Sequence, residues 1–163
     1  MFGNDEMEKE VQKFYGNRLR VRACGICVKN DSILLLNHRG ISPQDFWSPP
    51  GGGIQFGEPA VDCLAREFKE ETGLSVEMGK FLFACEFIQH PLHAIELFFE
   101  VFPLSDRLHI GADPEQGSPS IIQDVKFMAW AEVKKLPADQ CHGIFSLLDH
   151  PSKITALSGY FRV

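Results

Sequence analysis

The chain has 163 residues, 44% of them apolar and 23% charged, with 14 phenylalanines and a formal net charge of −6 from 16 basic and 22 acidic side chains. That is the length of one domain, which commonly runs to about 100–200 residues, and the apolar share is too high for a disordered chain. The acidic balance weighs against a nucleic-acid duplex or an anionic membrane as the main partner, and a phosphorylated ligand would need a bridging cation. No window approaches the roughly 18 apolar residues of a membrane span; Ile33–Leu36 and Ile95–Phe102 are the densest, and Glu96 and Glu100 interrupt the second. The acidic N-terminus lacks the apolar stretch of a secretory leader. Five irregularly spaced cysteines read as reduced thiols, so a cytoplasmic protein is expected.

In chain order, residues 1–17 predict a short polar helix or arm. Arg20 to Val28 alternates loosely and is followed by the turn signal Lys29-Asn30-Asp31 and then by Ser32–Asn37, a buried strand, which together predict a hairpin. His38 to Asp45 reads as a loop. Phe46-Trp47-Ser48 leads into Pro49-Pro50-Gly51-Gly52-Gly53, where neither a helix nor the interior of a central strand could persist. From Pro59 to Thr72 the period is helical. Pro59 suits the first helical position, Gly73 the stop, and Val61, Leu64, Ala65 and Phe68 line up as one apolar face. Val76–Gln89 and Ala94–Phe102 read as strands around His90-Pro91-Leu92-His93. Leu104–Ser120 reads as a loop, Ile121–Trp130 as a strand, and Ala131–Leu136 and His142–Leu148 as short helices, so that 138–163 is expected to be a C-terminal helical segment. Strands interleaved with helices predict a single α/β domain over 1–163.

The chemistry-bearing segment is Gly52–Leu74, 23 residues that hold Glu58, Asp62, Glu67, Glu70 and Glu71. Glu67, Glu70 and Glu71 stand at i, i+3 and i+4, so they leave one side of the helix together. Like charges at that spacing repel by a few tenths of a kcal/mol per pair, and in the second half of the helix they oppose its dipole. A cation would relieve both. Mg²⁺ takes hard oxygen ligands from one or two carboxylates and completes its octahedron with waters and substrate phosphates. The plain alternative is a solvated acidic face offset by Arg66 and Lys69. The glycine run just ahead of the helix favours the cation, because glycine lets the backbone approach a metal or phosphate closely.

Gly52, Glu58 and Arg66-Glu67-Phe68-Lys69-Glu70-Glu71-Thr72-Gly73-Leu74 resemble the Nudix box, GX5EX7REUXEEXGU, at every fixed position. Only Phe68 departs from usage, standing where an aliphatic residue is commoner. The resemblance implies an α/β/α sandwich with a mixed β-sheet, and hydrolysis of a nucleoside diphosphate linked to a further moiety with the help of Mg²⁺, for which Mn²⁺ can substitute. It implies that Glu70 and Glu71 are the metal-binding pair and that Glu67 is a further ligand, a general base in some members. It also implies that the Gly52 carbonyl is a ligand and that Arg66 and Glu58 orient the cluster through an ion pair. Members of the family recruit another acid from outside the box. Glu115, in Asp113-Pro114-Glu115, is the expected one; Glu96 and Glu100, which share a strand face by even spacing, are alternatives that read equally well as solvent-facing residues. Arg39 is expected to contact phosphate. A nucleoside triphosphate or an ADP-ribose-like small molecule is the expected substrate, and a homodimer is an assembly common among relatives. The contrasting expectation, a Nudix-fold module that senses a nucleotide or sugar nucleotide without cleaving it, fits poorly with a full set of box acids.

The remaining motifs carry plainer readings. Cys24-Gly25-Ile26-Cys27 has no second cysteine pair to complete a zinc site, and positions three apart in a strand face opposite sides, so buried cysteines are expected. His90 and His93 read as turn residues and Trp47 as packing. Neither a phosphate-binding P-loop nor an EF-hand loop is present.

Overall fold

A computed structural model of the chain describes residues 4–39, 41, 44–111 and 121–163. Its elements are α1 (Asn4–Tyr15), β1 (Leu19–Ile26), β2 (Val28–Lys29), β3 (Ser32–His38), β4 (Phe46–Ser48), β5 (Gly51–Gly53), α2 (Ala60–Thr72), β6 (Val76–Gln89), β7 (Leu92–Pro103), β8 (Ile122–Ala129), α3 (Trp130–Val133) and β9 (Tyr160–Arg162). Short 3-10 turns at Ala138–Gln140, Gly143–Leu147 and Pro151–Ala156 lie between α3 and β9.

The strands divide between two sheets. A mixed sheet runs β5-β1-β7-β6-β9, with β1/β7 and β6/β9 parallel and β5/β1 and β6/β7 antiparallel. An antiparallel sheet is built on β3, which pairs β8 along its length and β2 and β4 at its two ends. The predicted hairpin is therefore corrected. The strand expected over Arg20–Val28 breaks at Cys27, and only Val28–Lys29 folds back on β3, through Asn30 and Asp31 at φ 49° and 57°, the left-handed pair that a two-residue hairpin turn requires. The eight residues of β1 instead pair with β7, from Leu19 opposite His93 to Ile26 opposite Glu100. That ladder forms far more hydrogen bonds than a hairpin two residues long. The three glycines of β5 are tolerated because they form an edge strand that, among the described residues, pairs only β1.

Alternation along β1 and β3 explains the layers. Cys24, Ile26, Ile33 and Leu35 point into a core closed by Ile144, Phe145, Leu148 and Ile154 of the C-terminal turns. Their neighbours Ala23, Cys27, Leu34 and Leu36 point into a second core under Cys63, Leu64 and Phe68 of α2. Both strands are thus covered on both faces, which is why Ile33–Leu36 reads as an unbroken apolar run. The result is helix, sheet and helical turns in three layers, the expected α/β/α arrangement.

α2 begins after Pro59, which is its cap rather than its first residue, and ends at Gly73 at φ 75°. Its buried side differs from the predicted one. Val61 is 42% exposed and Ala65 is also exposed, whereas Cys63, Leu64, Glu67, Phe68, Glu71 and Thr72 are buried. Gly25 of β1 makes the notch that fixes this rotation: a Cβ there would lie 2.3 Å from the Phe68 ring. The unusual aromatic at position 68 therefore fits because the opposing strand has no side chain. Residues 138–163, expected to be helical, end instead as β9, where Phe161 meets Phe83 edge-on at 5.9 Å. Trp130 starts α3 rather than ending β8. Of the predicted loop Leu104–Ser120, residues 112–120 lie outside the described residues. Among the described residues no helix is long and apolar enough to cross a membrane.

Candidate active site

The rotation of α2 carries two of its acids inward. Glu67 and Glu71 are each 4% exposed and face β5. The Glu67 carboxylate packs directly on Gly52, where an added Cβ would stand 2.1–2.5 Å from its three carboxylate atoms. The Gly51 N–H donates to Glu71 Oε2 at 3.0 Å. The Gly52 and Gly53 carbonyls face α2, where the Cys63 thiol approaches them at 3.7 and 3.4 Å. The glycine run is thus needed for close approach: any side chain at 52 would displace Glu67.

Arg66 gathers the acids. Its Nε and Nη2 donate to the two oxygens of Glu58 at 2.9 and 3.1 Å, and its Nη1 donates to Glu67 Oε1 at 2.8 Å and Glu70 Oε2 at 3.1 Å. These bonds hold the Glu58 carboxyl down at about 2, assisted by the Gln55 N–H, and the same partners raise Arg66 above the ordinary arginine value. One guanidinium therefore holds three carboxylates together. At the end of the helix, the His109 N–H donates to the Thr72 carbonyl at 3.1 Å and the Gly111 N–H to the Glu71 carbonyl at 3.0 Å. Those bonds satisfy carbonyls that the helix itself leaves open. The segment leading toward Glu115 starts there, but Glu115 itself lies outside the described residues.

Several buried polar residues of this region have no counterpart in the box. Arg22 of β1 donates from Nη1 to Glu96 Oε1 and from Nη2 to the Gly51 carbonyl, both at 2.7 Å. Glu96 of β7 is 1% exposed, so its reading as a solvent-facing residue is wrong: it faces inward because the alternation of β7 puts it beside Ala94 and Phe98, on the core side. His142, 3% exposed, makes a 2.6 Å hydrogen bond from Nε2 to Glu96 Oε2. Burial alone would raise the Glu96 carboxyl, but His142 and Arg22 outweigh it and hold the group down at about 2. His38, at the end of β3, is held neutral: burial and then the charge of Arg22 push it down to about 3. Nδ1 of His38 and Nε of Arg22 are buried with no hydrogen-bond partner among the described residues.

These groups line one cavity of about 60 Å³. Gly51–Gly53, Glu67, Glu71, Arg20, Arg22, His38, Glu96 and His142 make its polar wall, and Phe46, Phe87, Val11 and Tyr15 contribute apolar surface. Arg20 lies over the Tyr15 ring at 4.2 Å. Not every expected residue is gathered here. Arg39 is exposed, one residue past His38, with its backbone held by the Ile121 carbonyl; Arg20 and Arg22 are the arginines that line the cavity. Glu100 shares the strand face of Glu96 but does not line the cavity. Cys24 and Cys27 belong to different core clusters, as expected of a buried strand, and burial pushes the Cys27 thiol up to about 12 and Cys24 well above its ordinary value. Trp47 packs in the core with the Lys126 ammonium over its ring at 5.0 Å.

The donor set fits a hard divalent cation. Glu67, Glu71 and the Gly52 carbonyl are oxygen donors within one constellation, and Gly52 lacks the Cβ that would part them. Among the described residues no group of three acidic, histidine or cysteine side chains is arranged to hold a metal ion by itself.

Comparison with known proteins agrees with this geometry. The family model described as NUDIX domain matches residues 17–147. Over 53 residues the chain is 47% identical to the RNA pyrophosphohydrolase of Ruthia magnifica subsp. Calyptogena magnifica, a match covering 32% of this chain and 29% of that one. It is 31% identical over 80 residues to the ADP-ribose pyrophosphatase of Methanocaldococcus jannaschii, covering 45% and 47%. The matches thus span less than half the length of these curated relatives. The crystal structure of the MutT protein from Methanosarcina mazei Go1 superposes with a TM-score of 0.62 at 15% identity, covering 78% of this chain and 87% of that one, a likeness of fold.

Proposed function

The chain belongs to the Nudix family, and we propose that it is a divalent-metal-dependent hydrolase that cleaves the diphosphate linkage of a nucleoside diphosphate joined to a further moiety. The observation that carries this reading is the gathering of Glu67, Glu71 and Gly52 on the wall of a cavity that Arg20 and Arg22 also line. A cation held by Glu67, Glu70, Glu71 and the Gly52 carbonyl would polarise the phosphoryl oxygens and lower the pKa of a bound water. Arg66 keeps Glu67 and Glu70 oriented by direct hydrogen bonds. One carboxylate of the α2 cluster takes the proton of the attacking water as the P–O bond of the leaving group breaks. Phe46 and Phe87 give the cavity apolar surface suited to a base or sugar face.

Nucleoside triphosphates and ADP-ribose are the two substrate classes this reading favours, and the pyrophosphate-cleaving names of the two partial relatives support a diphosphate linkage as the target. The test is product analysis over nucleoside triphosphates, ADP-ribose, dinucleoside polyphosphates and sugar nucleotides with Mg²⁺ or Mn²⁺. Cleavage of one class at its diphosphate linkage is the expected result. Thermal stabilisation by a nucleotide with no cleavage of any compound would replace this reading with a non-catalytic sensor.

A further inference from the structure

Outside the box, Arg22 of β1, Glu96 of β7 and His142 of the C-terminal segment form a buried set that the proposed reaction leaves largely unused. Both oxygens of Glu96 are occupied, one by Arg22 Nη1 at 2.7 Å and one by His142 Nε2 at 2.6 Å. The other ring nitrogen of His142, Nδ1, accepts the Ile144 N–H at 3.3 Å, so the ring hydrogen sits on Nε2 and is donated to Glu96. The His142 backbone N–H is tied to the Trp47 carbonyl at 2.9 Å, and its ring stacks on Phe87 at 5.2 Å. From Arg22 the chain continues: Nη2 donates to the Gly51 carbonyl at 2.7 Å, and the N–H of Gly51 donates to Glu71 at 3.0 Å.

Resting on the function proposed above, we infer that His142, Glu96 and Arg22 are positioning residues that set the Gly51–Gly52 backbone, and through it the Glu71 carboxylate, in the geometry that receives a divalent cation. Glu96 is accordingly not the additional acid of the reaction. With one oxygen facing a guanidinium and the other an imidazole N–H, it is the counter-ion that orients Arg22. Stability alone gives no reason to keep such a set, because a buried ion pair is often replaceable by apolar side chains without loss. Orientation of β5 does give one, since β5 is a three-residue edge strand with β1 as its sole strand partner among the described residues. Arg22, which reaches across to the Gly51 carbonyl, fixes the residue whose N–H also holds Glu71.

The experiment compares wild type, His142→Phe, His142→Gln and Arg22→Lys by direct Mn²⁺ binding (electron paramagnetic resonance on folded protein) and by kcat and KM. His142→Phe keeps the ring stack but loses the donor. Its Mn²⁺ affinity and kcat should each fall about 10- to 100-fold, the usual cost of removing a group that orients a ligand, with KM much less affected. His142→Gln retains an N–H and should recover most of both. Arg22→Lys, with one point of donation in place of two, should weaken Mn²⁺ binding even if the Phe variant fails to fold. Unchanged Mn²⁺ binding in folded His142→Phe or Arg22→Lys would overturn the inference, as would equal losses in the Phe and Gln variants, which would mark His142 as a proton-transfer group. A wild-type protein that binds Mn²⁺ yet cleaves nothing would defeat the proposed reaction and leave the binding comparison to decide the positioning role. A wild type that does not bind Mn²⁺ would defeat both.

Discussion

Arg66 holds Glu58, Glu67 and Glu70 at once, and the pH dependence of that arrangement follows from Glu58. In the unfolded chain its carboxyl takes a proton near 4.5; in the fold, the Arg66 hydrogen bonds delay protonation until about 2. Between those values the unfolded state binds more protons, so stability falls as pH falls through that window and is fully present above it. Glu58→Gln should cost about 1 kcal/mol at pH 7, a modest figure because the pair is partly solvated. The gap between wild type and variant in urea denaturation should close between pH 4.5 and 2; a gap that persists at the acid end would contradict the assignment. Gly52 makes a separate prediction. Gly52→Ala puts a methyl group within 2.5 Å of the Glu67 carboxylate, and the flexible acid, not the backbone, should yield. Near-native melting with activity down about 100-fold is expected, the scale of loss for a catalytic group moved by about 1 Å. Equal activity would show that Glu67 does not act where it stands.

At the scale of elements, α2 was legible because its information is local: a period near 3.6, a proline at one end, a glycine at the other and acids at fixed spacing. Its rotation was not legible, because that depends on Gly25, 43 residues ahead of Phe68, and on which side of the helix the glycine strand lies. The corrected rotation gives a direct check. Leu64→Ala should destabilise by about 2–5 kcal/mol as a core truncation, whereas Val61→Ala, on the exposed side, should cost less than about 0.5 kcal/mol. Similar losses at both positions in chemical denaturation would restore the face first expected. The β1–β2 break was hidden for a related reason. Lys29-Asn30-Asp31 announces a turn correctly, but the partner of β1 is β7, more than 70 residues on, and no local pattern marks a parallel pairing.

Over the whole molecule, the site draws on segments spread from Arg20 to His142, and only its central stretch carries a spacing that can be recognised. Glu67, Glu70, Glu71, Glu58, Arg66 and Gly52 could be named from the box. Arg22, His38 and His142 could not, since each is a single polar residue in a strand or turn whose role appears only when the two sheets are brought together. Glu96 was visible as one of two acids on a strand, but its burial was not. The assembled cavity, with Val11 and Tyr15 of α1 in its lining, joins residues that lie far apart in the chain. The central claim is that the α2 carboxylates of this assembly drive metal-dependent cleavage of a diphosphate linkage. It is tested most directly by nucleoside monophosphate release from ADP-ribose and nucleoside triphosphates, with and without Mg²⁺, in wild type and a Glu71→Gln protein of matching circular dichroism. The account predicts Mg²⁺-dependent release by wild type on at least one substrate and a loss of about 10²-fold or more in the variant, the scale on which a key electrostatic group acts; Glu71→Gln turning over at the wild-type rate would contradict it.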